Sequence, residues 1–445
     1  MSQKILIYTL RFLFILILLS SCDERDYTNR EGKVHIRKSD SGFEIIKDNK
    51  PFKVKGVAGQ ARYIPELAAA GGNTIRLYDT LNLNAALNTA KANNISVIID
   101  IPIPPYNASV NYYASEKHRK MTLNMVKKLI NRYKGNEAVL MWVLGNEINF
   151  PHSGDGGGFV PFYSELIDVI HKIDPDHPVT TTIPQAGKRD ILNLYYKTDL
   201  DLISINIFGG INTLKKQVNK ISLLWDGPYL LSEWSDEGPW TEDLTRWGAP
   251  LEPTSEKKAE RFSERYHTYI DNLSDNCLGS LAFYWGNKQE RTHTWFSLFS
   301  EQGSKTQMVY ELERIFKMDS SIPNLAPRID YILLNQRGAQ ESQLLFNNDI
   351  NIADVYFSAD DCSNIQVSWE ILPEVWNTLK ADKDREDRPA NFNHLIVDKN
   401  DHLIKFITPD EEGPYRLFVY IDDNNGTFAT ANLPFYVINQ PNAKN

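Results

Sequence analysis

The feature that most restricts this chain is a rhythm. Eight short apolar runs, at 56–59, 73–78, 96–103, 139–147, 178–183, 202–208, 229–234 and 278–286, alternate with longer amphipathic stretches. The runs are nearly continuous Val, Ile and Leu at their centres, which is the composition of parallel strands buried on both faces. Between them, 84–93, 115–133, 162–173 and 255–273 carry apolar residues at helical spacing. Eight strand–helix units over about 280 residues match a TIM barrel in count and size. A doubly wound open sheet is the alternative, but no Gly-rich dinucleotide turn follows the first run. The expected fold class is therefore α/β, with a (β/α)8 TIM barrel over residues 34–318.

The rhythm changes on both sides of that span. Upstream, 42–56 reads as a hairpin around Asp48-Asn49. Downstream, Ser320-Ser321, Pro323 and Pro327 mark a linker. The period then falls to two, through 354–359, 365–372, 402–408, 415–422 and 427–438, with a strong turn signal at Asp422-Asp423-Asn424-Asn425-Gly426. About seven short strands over ~115 residues suggest an immunoglobulin-like β-sandwich at 328–445. Tyr415, two residues after Gly413, is placed to form a tyrosine corner.

The first 33 residues read as an address. Lys4 and Arg11 precede an apolar run at 12–19 that is too short to span a bilayer, and Ser20-Ser21-Cys22 follows. Residues 1–21 are expected to be a signal peptide, and Leu19-Ser20-Ser21-Cys22 resembles a bacterial lipobox with Cys22 as the lipidated residue. Residues 22–33 read as a tether. Its Asp23-Glu24-Arg25-Asp26 start resembles the surface-export signal of Bacteroidetes-type lipoproteins. The expected location is the outer-membrane surface, with membrane contact through the lipid alone.

Composition excludes several functions. The chain has 48 Lys and Arg against 57 Asp and Glu, and no basic block, which argues against nucleic acid as a partner. Three Cys cannot build a disulfide framework or a four-ligand zinc site. Cys277 and Cys362 are expected to be buried, unpaired thiols. No His/Cys/Asp cluster has ligand spacing, so neither metal nor cofactor is expected. The 9 Trp, 21 Tyr and 20 Phe exceed what a core needs and leave candidates for stacking on flat rings.

Barrel chemistry collects at the C-terminal ends of the strands, where the loops share one open face. The fourth run ends Gly145-Asn146-Glu147 and the seventh ends Ser232-Glu233-Trp234. A carboxyl closing an apolar strand is costly to bury without a purpose. Strands four and seven face each other across the mouth. Two carboxyls about 5–5.5 Å apart suit a retaining glycosidase.

These motifs resemble the acid/base and nucleophile motifs of the clan A retaining glycoside hydrolases, over residues 43–316. The resemblance implies Glu147 as acid/base, Glu233 as nucleophile and Asn146 as the partner of the sugar 2-hydroxyl. It implies that Arg76, in Asn73-Thr74-Ile75-Arg76-Leu77-Tyr78, holds the nucleophile ionised. It also makes Trp285, in Phe283-Tyr284-Trp285-Gly286, the floor beneath the sugar. Many clan members place a Tyr after strand six, where this chain has Ile205-Asn206-Ile207-Phe208. Either Tyr78 or Tyr284 replaces that hydroxyl, or Arg76 and backbone hold Glu233 alone. Phe208 and Trp234 join the substrate-facing candidates, with Tyr106, Tyr112, Tyr113, Phe150, Trp240, Trp247, Trp295 and His152 on the top loops.

Tyr78-Asp79 and the segments at 83–93 and 95–100 resemble families 17 and 72, which act on β-1,3-glucan. The barrel-plus-sandwich layout resembles family 158. Family 2 enzymes share Gly-Asn-Glu, but their strand-two His-Tyr-Pro signature is missing. The expected substrate is a β-glucan, cleaved as by an endo-β-1,3-glucanase. A transglycosylase and a non-catalytic glycan-binding lipoprotein are the alternatives.

Overall fold

The computed structural model of the chain describes residues 27, 32–107, 110–359, 364–375 and 387–440. The readings at Cys22, Cys362 and the signal and tether segments lie outside these residues, Tyr27, Gly32 and Lys33 excepted.

The N-terminal hairpin forms as β2 (Phe43–Lys47) and β3 (Lys50–Phe52), with β1 (Val34–Lys38) added antiparallel to β2. Asp48 and Asn49 both take positive φ, 50° and 62°, the left-handed pair that a two-residue hairpin turn demands.

Each of the eight runs then becomes a parallel strand. They are β4 (Val54–Gly59), β5 (Thr74–Leu77), β6 (Ser96–Ile101), β7 (Val139–Leu144), β8 (Val179–Thr180) with β9 (Thr182–Ile183), β10 (Ile203–Asn206), β11 (Tyr229–Trp234) and β12 (Cys277–Trp285). The sheet order is β8-β7-β6-β5-β4-β12-β11-β10-β9. Its two ends, β8 and β9, are halves of one strand interrupted at Thr181, so the sheet curls into a barrel. The amphipathic segments form helices such as Leu83–Ala92, Glu116–Tyr133, Phe159–Ile173 and Ser255–Arg265, the last continuing as a π turn over Tyr266–Ile270.

Strand side chains alternate between two cores. One set, including Val57, Ile75, Val97, Ile99, Trp142 and Leu144, packs against the helices. The other, including Ala58, Ile98, Val143, Leu230, Leu281 and Phe283, fills the barrel. Val34, Ile36, Phe43 and Ile45 of the hairpin join this inner core. Phe43 N–H donates to Asp275 O and Val34 N–H to Asp176 O, so β1–β3 plug the N-terminal end. That leaves the opposite end open, which is where a barrel places its site. Cys277 is a buried free thiol on β12, as its apolar surroundings predict.

Beyond the barrel lie two four-stranded sheets. One has the order β13 (Arg328–Leu334), β15 (Ile350–Ser358), β18 (Leu403–Ile407), β17 (Ile396–Lys399). The other has β14 (Leu344–Phe346), β20 (Phe428–Ile438), β19 (Gly413–Asp422), β16 (Gln366–Pro373). They share one apolar core, including Ile329, Val355, Trp369, Phe406, Leu417 and Phe435. The arrangement is compatible with the expected immunoglobulin-like sandwich. The Tyr415 hydroxyl donates back to Glu411 O at 3.1 Å, the bond that a tyrosine corner makes.

Candidate active site

Arg76 organises the open end. It is fully buried on β5, and every nitrogen of its guanidinium is occupied. Nε and Nη2 grip Asp100 of β6 at 2.9 and 2.7 Å. Nη1 donates to Glu233 Oε1 at 3.0 Å and Asn206 Oδ1 at 3.2 Å, and Nη2 to Asn146 Oδ1 at 2.7 Å. One planar fork therefore ties together residues from five strands or the loops that follow them. Burial works against the charge, but Asp100, Tyr78 and Glu233 together hold the group more firmly protonated than free arginine.

Glu233 lies where β11 breaks register with both neighbours. It is nearly buried, and its Oε1 also accepts from the Tyr78 hydroxyl at 2.8 Å. Tyr78, from the end of strand two, thus supplies the phenol missing after strand six. Tyr284 instead lies beside the Tyr78 ring, 6.3 Å between centroids. Burial pushes Glu233 up to about 7; Arg76 pulls it down and Glu147 pushes it up. The guanidinium does favour the carboxylate, as the sequence implied, but desolvation outweighs it.

Glu147 is aimed by a strained turn. Gly145 has φ 77°, and a Cβ there would sit 2.3 Å from Ile148 Cγ2, so only glycine fits. Glu147 itself takes φ 47°, an uncommon conformation for a residue with a side chain. The turn is held by Thr182 of β9. Its Oγ1 accepts from Glu147 N at 2.9 Å and donates to Asn146 Oδ1 at 2.7 Å. The Glu147 carboxyl accepts from Asn206 Nδ2 at 2.8 Å, and burial raises its pKa.

Asn206 is the residue that sequence reasoning passed over. Its Oδ1 accepts from Arg76 and from Ser232 Oγ at 2.8 Å, which turns its NH2 toward Glu147. The amide therefore stands between the two carboxyls, bonded to one and linked through Arg76 to the other. The pair divides its roles by donors. Glu233 receives a cation and a phenol, donors that favour its ionised form, whereas Glu147 receives only an amide. Asn146 Oδ1 accepts from Arg76, Thr182 and Asn206, leaving its own NH2 for a ligand.

A second pair was also unforeseen. Lys288, in the loop after β12, lies over the Phe283 and Tyr284 rings at 4.9 and 5.7 Å and pairs with Glu290 at 2.6 Å. Its charge reaches both catalytic candidates, favouring their ionised forms.

The aromatic candidates divide. Phe208 lies at the open end against Phe283, Phe296 and Trp240. Trp240 is 60% exposed beside it, the form a sugar platform needs. Trp285 is not brought to the mouth: a register shift at Phe283/Trp285 turns it outward. There it packs on Phe299 and donates Nε1–H to Tyr63 O at 2.8 Å. Trp234 likewise faces the helices, stacked on Phe262 at 4.2 Å. Alternation alone carries Trp234 away from the site, since the strand-terminal Glu before it points in. Tyr113, Phe150 and Trp295 are core residues. Tyr106 packs on Phe159, Tyr112 stacks on His118, and Trp247 lies against Tyr436. His152 pairs with Asp190 in an exposed loop. No group of three or more His, Cys, Asp or Glu among the described residues has the geometry to hold a metal ion.

A family model described as cellulase, glycosyl hydrolase family 5, matches residues 51–306, more than half of the chain. No curated protein matches. Among solved structures, Bacteroides uniformis β-glucuronidase 2 bound covalently to cyclophellitol-6-carboxylate aziridine is similar, with a TM-score of 0.50 at 12% identity. That match covers 92% of this chain and 48% of the other. A GH2 β-galacturonidase from Eisenbergiella tayi bound to galacturonate also has a TM-score of 0.50, at 13% identity, covering 64% of this chain and 54% of its own. At such identities the likeness is one of fold. The chain spans about half the length of these structures.

Proposed function

The chain belongs to the cellulase family, glycosyl hydrolase family 5, within clan A, and on that premise we propose that it is a retaining hydrolase of β-glucan. A glycoside hydrolase acts on carbohydrate, and in this reading the two glutamates and Asn146 divide the work. Glu147 donates its proton to the glycosidic oxygen while ionised Glu233 attacks the anomeric carbon and forms the glycosyl-enzyme. Glu147, now a base, takes a proton from water, and the second displacement restores the β-anomer. The Asn146 NH2 meets the 2-hydroxyl. The single observation that carries this reading is the Arg76–Asn206 bridge, which holds two carboxyls in one network with opposite sets of donors.

A β-1,3-linked glucan is the favoured substrate, on the resemblance of the strand-two to strand-three region to families 17 and 72. The family that matches is 5 rather than 17, 72 or 158, so β-1,4-glucan belongs in the same panel. The same reading anchors the enzyme through Cys22 at the outer-membrane surface.

The test uses both glutamates. Glu233→Gln should abolish release of reducing ends from laminarin and from other β-glucans. Glu147→Gln should be nearly inactive on polysaccharide, yet keep more turnover on an aryl glycoside whose leaving group needs no proton. Near-normal hydrolysis by Glu233→Gln, or an α-anomer as first product, would overturn it. Products longer than an oligosaccharide substrate would move the reading to transglycosylation.

A further inference from the structure

The loop that follows β12 lies between two bodies. On one side it lines the open end of the barrel with Lys288 and Glu290; on the other it is covered by the C-terminal sheets. We propose that those sheets are a positioning element for catalysis, holding the loop after β12 and through it the Lys288 ammonium at the mouth. The inference rests on the site assigned above.

A continuous set of bonds connects β19 to Lys288. Tyr420 of β19 donates its hydroxyl proton to Glu370 Oε2 at 2.8 Å. With that proton committed, the phenol oxygen accepts from His293 Nε2–H, 2.6 Å away. The His293 ring also lies against Phe418 of the same strand, 4.8 Å between centroids. Burial, with Arg388 nearby, pushes its pKa down to about 3, so the imidazole is a neutral donor here. The His293 carbonyl accepts from Ser297 Oγ at 2.7 Å, and that oxygen accepts from Lys288 N at 2.9 Å. Phe296 and Leu298 complete the fixture by bonding to the backbone of Tyr284, whose ring lies beneath the ammonium.

A second, independent tie converges on the same loop. Glu252 accepts from Thr292, Thr294 and Lys258 of the barrel and from Asn432 Nδ2 of β20 at 2.7 Å. Buried Arg416 of β19 then grips Asn432, Glu374 and Pro250 O. Lys258 Nζ donates back to the carbonyls of Thr294 and Trp295. Thr292 to Phe299 are all buried, so this loop has little freedom of its own while the sheets are in place.

What the loop controls is charge. Glu233 faces Arg76 and Tyr78 from strand two, Glu147 from strand four and Lys288 from this loop. Glu147 faces Asn206, Arg76, Glu290 and Lys288. Arg76 is locked inside the barrel, so Lys288 is the cation that the C-terminal sheets can move. If Lys288 withdraws, the nucleophile loses a stabilising charge and protonates at higher pH.

The test pairs Tyr420→Phe, which cuts the chain of bonds at the sheet, with Ser297→Ala, which cuts it inside the loop. Hydrogen exchange is read over 286–299, and the acid limb of kcat/KM is read beside that of Lys288→Met. Faster exchange confined to this segment is expected in both variants. Their acid limbs should move to higher pH in the same direction as Lys288→Met. Each should do no further harm when combined with Lys288→Met, because all three act on one contact. Unchanged exchange overturns the proposal, and so do additive effects or an acid limb that stays put in any of the three. A variant that merely loosens the protein lowers its melting temperature without this coupling. The exchange measurement needs no substrate, so a wild-type protein inactive on every β-glycoside would sink the functional reading while the loop's tether is still decided.

Discussion

At the residue scale, the site turns on which hydrogen-bond donors each carboxyl receives. Tyr78 gives Glu233 its second donor, and a hydrogen bond to a charged group contributes about 1.5–3 kcal/mol. Tyr78→Phe should therefore lower kcat/KM by at least about tenfold. The pH profile carries the sign. On the proposed mechanism Glu233, held near 7 by burial, must be ionised to attack, so the rate should fall as pH drops through that value. Removing the phenol raises the carboxyl further, so the acid limb should shift upward. A profile that loses height without moving would mean that Tyr78 orients the substrate and does not tune the nucleophile.

At the scale of elements, the loop after β7 depends on its neighbouring strand. Thr182 of β9 takes up the Glu147 N–H and fixes Asn146, so one hydroxyl sets two catalytic candidates. Thr182→Val keeps the shape and β-propensity but leaves that partly buried donor unpaired. An unpaired donor costs about 1–3 kcal/mol, and the turn relaxes from its left-handed conformation. The expected result is a kcat reduced about tenfold or more, with a small fall in melting temperature. Circular dichroism and steady-state kinetics on one preparation check both halves. Full activity with lowered stability would restrict Thr182 to a structural role.

At the scale of the molecule, the barrel and the C-terminal sheets meet through buried charge as well as apolar surface. Glu252, Lys258, Arg416 and Glu374 are all nearly or fully buried there. Cutting the chain near Asp319 removes Asn432 and Arg416 from Glu252. Stripping a partner from a buried charged network costs about 3–5 kcal/mol. The isolated barrel should then melt about 10 °C lower than the full chain, or fail to stay soluble. Differential scanning calorimetry decides it; a barrel as stable as the whole protein would show the interface to be dispensable.

The barrel was legible because eight buried parallel strands cannot avoid announcing themselves as Val/Ile/Leu runs between amphipathic helices. Glu147 and Glu233 were legible for a related reason, since a carboxyl ending such a run has no cheap structural explanation. Asn206 carried no such signal: an amide at a strand end is ordinary, and its role exists only because Arg76 and Ser232 turn its NH2 toward Glu147. Trp285 misled because strand alternation assumes an unbroken register, and β12 shifts by one residue just before it. Lys288 was hidden because its loop is shaped from outside the barrel, by His293 and Tyr420 meeting across more than a hundred residues of chain. Periodicity is a local property and survives in the sequence. Which side chains converge on one point is set by closure of the barrel and by the sheets packed on its rim, so only the tertiary structure decided it.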